Sequence, residues 1–332
     1  EPVEGVVEGY SLPGRHEVDP SAVMAFFYYV LFGMMLSDAA YGILTVVGSA
    51  FALRKFPDME LKMRKTLRMF LFCISTTVWG VLFGSYFGDA IPVIAQTFFH
   101  TEITVPALWF EPLDDPMRLL IFSFGVGVAH LFTGLGVQFY QLAKQKKYAD
   151  ALYDVVFWYL LVGGLIVVLL STEIFQNIAE LPFVVPGPVA AVAGVLAGIG
   201  AVGILFTAGR ESRNPVKRFL KGLYGLYGVS SYLSDILSYS RLLALGLATS
   251  VISTVFNQLG AMLGGGVVGA IFFAVVFLIG HSMNMAINLL GAYVHTNRLQ
   301  FVEFFGKFYE GGGRAYAPFA ANTKHFQIKE EK

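Results

Sequence analysis

Apolar runs of about twenty residues or more recur along this chain, at 22–54, 68–88, 116–143, 151–171, 183–208, 220–260 and 267–306, and about twenty is what a helix needs to cross a bilayer. Lipid offers no hydrogen bonds to exposed backbone, so such runs must be helical. Only 14% of the residues are charged and 56% are hydrophobic, against about 25% charged in a soluble domain. The chain cannot cover a water-facing surface and reads as an all-α polytopic membrane protein. Its 23 basic and 23 acidic residues cancel, and no basic patch points to nucleic acid. Cys73 is alone, which excludes an intrachain disulfide. The start, Glu1-Pro2, carries neither an initiator Met nor a signal-peptide pattern and predicts a piece of a longer protein.

Basic residues gather in three connections: Arg54 to Arg68, Lys144 to Lys147, and Arg210 to Lys221. The positive-inside rule makes these cytoplasmic and puts the loops bearing Glu102 and Asp115, then Glu173 and Glu180, then Gly264-Gly265-Gly266, on the other side. The C-terminus is then inside. The break Leu36-Ser37-Asp38 leaves open whether the 22–54 block is one long helix or two short ones. The last two blocks, at 1.5 Å per residue, make roughly 60 Å of helix each, twice the hydrocarbon core, and must tilt, kink or project. The 36 glycines read as sites of close helix packing.

Arg241 lies in the apolar stretch Ser238-Tyr-Ser-Arg-Leu-Leu-Ala-Leu-Gly-Leu-Ala. An arginine cannot shed its proton, and an intramembrane charge marks a candidate functional site. Ser234 and Ser238 precede it on its face and small or apolar residues follow. A bare guanidinium on such a face suits a partner carboxylate, so this reading requires Arg241 to avoid both lipid and an acid of its own chain. Asp235 falls on the opposite side and serves either a structural contact or ion access. In the last block His281, Asn284, Asn288, Gly291, His295 and Arg298 step by three or four and form one polar stripe. Any one of them alone fits interhelical packing, and Arg298 alone fits a snorkelling anchor. Six in line ending on an arginine point to an ion track. Asp89 could line an aqueous access or simply cap a helix end. Asp38, His130 and Asp154 are weaker candidates, and Arg118 could pair with an acid such as Asp38. No metal site, tightly bound cofactor or catalytic residue is read, and the chain has no G-x-x-x-x-G-K-[ST] loop.

Ser238-Tyr-Ser-Arg241-Leu-Leu-Ala-Leu-Gly-Leu-Ala and His295-Thr-Asn-Arg298-Leu-Gln-Phe-Val-Glu303, with Phe32-Gly-Met-Met-Leu-Ser-Asp38 and Leu82-Phe-Gly-Ser-Tyr-Phe-Gly-Asp89, resemble the C-terminal membrane half of subunit a of the rotary V-type and A-type ATPases, called subunit I in bacteria. The resemblance implies eight membrane helices, the last two long and steeply tilted against a rotating proteolipid (c/K) ring. It also implies that the 22–54 block is two spans, that the N-terminus is cytoplasmic, and that a cytoplasmic N-terminal half binding peripheral stalks is missing. Residues 1–20 would be a cytoplasmic linker, 21–309 the membrane domain and 310–332 a cytoplasmic, solvated tail. By position, Arg241 and Arg298 match the family's paired arginines facing the ring carboxylates. Asp89 matches an acid of the non-cytoplasmic half-channel, and Glu303 an acid at the cytoplasmic access. Departures at Tyr227, Asp235 and Asn288 favour a prokaryotic member in a plasma membrane.

The expected function is that of a stator subunit with two offset half-channels. Ring carboxylates are forced to ionise beside Arg241, so flow of H⁺ or Na⁺ is coupled to rotation, and ATP is hydrolysed on partner subunits of the stalks and head. The ion stays open between the two. A stand-alone secondary transporter binding an anion at Arg241 would need an internal repeat with broken helices, and none is found; a purely structural scaffold leaves both arginines unexplained.

Overall fold

A computed structural model describes residues 3–14, 17–56, 61–71, 73–179, 185–210 and 214–313. A short amphipathic helix, α1 (Glu4–Tyr10), precedes α2 (Ser21–Leu36) and α3 (Ala39–Lys55). Then come α4 (Leu61–Leu71), α5 (Ile74–Phe83), α6 (Ala90–Phe99) and the long α7 (Pro116–Lys144). Next, α8 (Tyr148–Ala151) runs through a π-helical turn (Leu152–Val156) into α9 (Phe157–Ser171), followed by α10 (Glu173–Ala179) and α11 (Gly187–Thr207). The chain closes with α12 (Pro215–Leu237), α13 (Ser240–Ala261) and α14 (Val267–Arg298), the last continuing as a π-helix (Leu299–Phe304) and a 3₁₀ turn (Phe305–Lys307). No named strand occurs among the described residues.

Among the described residues, six helical stretches are long and apolar enough to cross a membrane: Met63–Phe83, Pro116–Lys144, Tyr148–Ser171, Gly187–Thr207, Pro215–Ala261 and Val267–Lys307. The 22–54 block is two helices. Ser37 turns left-handed (φ 36°) to end α2, and Asp38 caps α3 by accepting the N–H groups of Ala40 and Tyr41. At 1.5 Å per residue α2 and α3 are about 24 and 26 Å long.

The core is built around α2, whose Met24, Tyr28, Leu31, Phe32 and Met35 are almost wholly inaccessible. It packs on α5, α13 and α14. A second body joins α9, α11 and α12, with Leu161, Ala197 and Ile204 inside. Its close approach uses glycine: a Cβ at Gly164 would stand 2.6 Å from the carbonyl oxygen of Ala193, and one at Gly200 2.7 Å from that of Phe157. Glycine abundance therefore serves packing here, as the composition predicts. Outward faces carry Val192, Val195 and Ile199 on α11, and Ile271, Leu278 and Ile287 on α14. So much apolar surface needs lipid or a partner to cover it.

The two ends of the chain meet. Leu12 bridges Gly313, and Glu17 accepts from the backbone N–H groups of Glu310 and Gly311. Tyr309 donates to the Ser11 carbonyl at 2.7 Å, and burial pushes its hydroxyl up to about 12, which keeps it a donor. Residues 310–313 are thus tied to the 11–17 segment, and the rest of the expected tail, 314–332, lies outside the described residues.

Candidate functional site

Two antiparallel helices, α13 and α14, carry most of the predicted site. Their register pairs Phe256 with Gly280, Asn257 with His281, Ser253 with Asn284 and Leu245 with Gly291, which brings Arg241 opposite the far end of α14. Both arginines sit where the helix departs from α geometry. Before Arg241, bonds from Tyr239 to Ile236 and from Leu242 to Tyr239 tighten the chain into i→i+3 turns. Arg298 is the last α residue before the π-helix. Such irregular turns recur at functional positions in helices.

The upper part of the stripe faces inward. His281, Asn284 and Asn288 are buried, and the first two are joined to groups on α3 and α13. Asn257 donates from Nδ2 to Asp89 Oδ1 (2.9 Å) and to the Phe87 carbonyl (2.8 Å), while its Oδ1 meets His281 Nε2 at 2.9 Å. His281 Nδ1 lies 2.6 Å from the Tyr41 hydroxyl, which lies 3.2 Å from Ser253 Oγ. Asn284 Nδ2 reaches Tyr41 (3.0 Å), Ser253 Oγ (2.9 Å) and the Thr249 carbonyl (3.1 Å). Asn288 Nδ2 donates to the Asn284 side-chain and backbone oxygens. The result is an unbroken hydrogen-bonded path from Asp89 to Asn288.

At its Asp89 end the path opens on a cavity of about 260 Å³ lined in part by Ser85, Tyr86, Asp89, Glu111, Ser250 and Thr254. The loop bordering it is contorted, with Gly84, Phe87 and Gly88 all at positive φ (71°, 54° and 65°); for Phe87 that is a strained state which needs outside support. Asp38 supplies it. Its carboxylate accepts from Ser85 Oγ (2.7 Å) and the N–H groups of Gly88 (2.9 Å) and Phe87 (3.2 Å), besides capping α3. The expected Arg118–Asp38 pair is therefore corrected: Asp38 is filled by five donors, and Arg118 stands exposed beside Asp115 at 4.0 Å.

Further along α14 the buried face passes to Ala292, Thr296 and Leu299, so His295 is half-buried and Arg298 exposed. Arg298 has no ion-pair partner among the described residues. Arg241 is mostly buried, and its Nη1 lies 3.9 Å from Oε1 of Glu303, whose side chain is 2% exposed. The expectation of a guanidinium with no acid of its own chain is corrected here, because the π-helical turn keeps Glu303 on the buried side facing α13. The contact is an open one. At 3.9 Å it exceeds hydrogen-bond length, and Arg241 Nη1 and Glu303 Oε2 both lack hydrogen-bond partners. Arg241, Arg298 and His295 also lie within electrostatic reach of one another.

The remaining predicted residues are placed as follows. Asp235 takes Lys307 Nζ at 2.5 Å, with the ammonium over the Tyr232 ring. Ser238 hydrogen-bonds back to the carbonyl of Ser234, which is exposed. His130 bonds the Tyr239 hydroxyl at 2.6 Å between the rings of Phe27 and Phe304, and so fixes the turn before Arg241. Asp154 pairs with Arg210 away from the path. Tyr41, Thr249, Ser253 and Asn257 join the site without having been predicted. The last three stand four apart on α13, a polar stripe the sequence displays; Tyr41 gives no such signal.

Residues 229–321 match a profile of the V-type ATPase 116kDa subunit family. Over that stretch the chain is similar to this family. It is 33% identical over 99% of its length to the A-type ATP synthase subunit I of Pyrococcus horikoshii, covering 47% of that protein. It is 31% identical over 98% to the A-type ATP synthase subunit I of Methanocaldococcus jannaschii, covering 48%. A bacterial relative, the V-type ATP synthase subunit I of Borreliella burgdorferi, is 27% identical over 97% of the chain, with 52% covered. The chain thus spans about half the length of the curated relatives it matches. The family stretch holds both arginines and every polar residue contributed by α14.

Proposed function

We propose that this chain is the ion-translocating stator part of a rotary A/V-type ATPase. In that reading α2 and α3 each cross the membrane and, with the six longer stretches, make eight spans. The basic connections and the C-terminus are cytoplasmic, which puts Asp38, the 84–89 loop and the Asp89 cavity on the opposite side. The observation that carries the reading is the hydrogen-bonded path from that cavity to Asn288, one face of a helix that ends about 15 Å further on at Arg298, with Arg241 across from that end.

The path is the non-cytoplasmic half-channel. It stops short of the arginines, so an ion must leave it for a carboxylate of a proteolipid ring passing the exposed faces of α13 and α14. Arg241, with one nitrogen unpaired, offers that carboxylate a positive charge and favours its ionised form. Lysine would serve poorly, since it can deprotonate when desolvated. ATP chemistry resides on partner subunits, and peripheral and central stalks complete the assembly. In the whole complex in a prokaryotic plasma membrane or in vesicles, Arg241→Ala and Arg241→Lys abolish ATP-driven transport with the complex still assembled. Normal pumping by either variant defeats the assignment.

A further inference from the structure

Arg241 and Glu303 stand further apart than a guanidinium and a carboxylate prefer. Such groups meet at about 2.7–2.9 Å, yet these are 3.9 Å apart while Arg241 Nη1 and Glu303 Oε2 leave hydrogen-bonding capacity unused. An approach of about 1 Å would satisfy both. The spacing is therefore imposed by the backbones that carry the two side chains, and both of those backbones rest on one face of α7.

Gly127, His130 and Gly134 step by three and four along α7 and so share that face. Gly127 makes a notch for the Tyr239 ring: a Cβ there would stand 2.6 Å from the ring carbons Cγ and Cδ2. Gly134 makes a notch for Phe304, where a Cβ would stand 3.2 Å from its Cδ2. Between the notches, the His130 imidazole engages both partners. Its Nδ1 is hydrogen-bonded to the Tyr239 hydroxyl at 2.6 Å, and its ring stacks on Phe304 and on Phe27 of α2 with centroids 4.4 Å apart in each case. His130, Tyr239 and Phe304 are all fully buried. Tyr239 lies in the tightened turn two residues before Arg241, and Phe304 directly follows Glu303 in the π-helix. One buried side chain thus ties the turn that presents Arg241 to the turn that presents Glu303.

Resting on the stator reading above, we infer that His130 is a positioning residue which, with the glycines on either side, holds Arg241 and Glu303 at an open spacing, so that the guanidinium is attracted by its own acid without being captured by it. Being buried, His130 cannot meet a ring carboxylate and acts only through the pair. With the His130–Tyr239 bond removed, the turn before Arg241 can settle toward Glu303, and the pair closes into a charge-assisted hydrogen bond. A passing ring carboxylate must then break that bond first, which slows each exchange about ten- to a hundredfold.

The test measures ATP-driven transport by the whole complex in sealed vesicles, as H⁺ with a pH-sensitive dye and as ²²Na⁺, with assembly and thermal midpoint followed on the same preparations. Tyr239→Phe deletes the hydroxyl and leaves the ring in its notch; transport should fall about ten- to a hundredfold. In a Glu303→Gln background, where no acid remains to capture Arg241, the same change should cost no more than about twofold beyond Glu303→Gln alone. His130→Phe keeps a stacking ring without the nitrogen and should reproduce both results, and Tyr239→Phe combined with His130→Phe should be no slower than either alone, since one bond is lost in all three. Equal losses with and without Glu303 are what a merely structural contact gives, and they overturn the inference, as does wild-type transport in Tyr239→Phe. If Arg241→Ala still abolishes transport in that event, only the inference has failed; if Arg241→Ala pumps normally, the stator reading itself has failed.

Discussion

Replacing Glu303 with glutamine tests what the acid beside Arg241 is for. At 3.9 Å the bare attraction is about 4 kcal/mol for an effective dielectric of 20 and about 1 kcal/mol in water. Desolvation of both groups and the absence of a hydrogen bond offset much of the larger figure, so roughly 1.4 kcal/mol, or one factor of ten in rate, is what the pair contributes. In the proposed stator reading, Glu303 is a resident counter-ion that a passing ring carboxylate would have to displace and that would take Arg241 back afterwards. On that reading, without it the ring carboxylate would leave Arg241 more slowly. Glu303→Gln should lower ATP hydrolysis and ion transport together by about tenfold with their ratio unchanged, and Glu303→Asp should fall between. Both rates are read on one vesicle preparation. An unchanged rate removes the counter-ion argument. Continued hydrolysis with transport lost would instead put Glu303 inside the ion path, at the cytoplasmic access its position in the motif implies.

Asp38→Ala strands five donors and should destabilise by about 4 kcal/mol or more, whereas Asp38→Asn keeps an acceptor for the three groups on Oδ1 and should cost about 2 kcal/mol; thermal midpoints of the solubilised complex in any other order contradict the carboxylate-cradle account. Gly80→Ala should be destabilising by about 1–3 kcal/mol, because a Cβ there would run into the Ala39 backbone, while Gly125→Ala, which meets nothing within 4 Å, should be neutral in the same assay. Asp235 and Lys307, with side chains 15% and 12% exposed, should show a coupling of about 1–3 kcal/mol in a double-mutant cycle, with Asp235→Asn retaining most transport; loss of transport at unchanged stability would return Asp235 to the ion path.

The membrane class was legible because burial in lipid leaves its mark residue by residue: long apolar runs, few charges, basic loops on alternate sides. The polar stripe of α14 was legible for the same reason, since a helix repeats its face every three or four residues, and His281, Asn284 and Asn288 do converge. What the stripe converges on was hidden. Tyr41 is more than two hundred residues away in sequence, and a tyrosine in an apolar helix looks like packing until a ring nitrogen is found 2.6 Å from its oxygen. Period alone also failed at the C-terminal end of α14. It carried the stripe straight on to Arg298, but the buried face drifts to Thr296 and Leu299, turning Arg298 out and leaving Glu303 to face Arg241. Spacing along one helix fixes which residues share a side; which of them acquire a partner depends on the register of α13 against α14 and on loops such as 84–89, whose shape rests on one carboxylate, Asp38. The residues that make the path a path are therefore those whose partners lie furthest off in the chain, and a change at Asp38 should reach His281 through Phe87, Asp89 and Asn257 without touching the stripe at all.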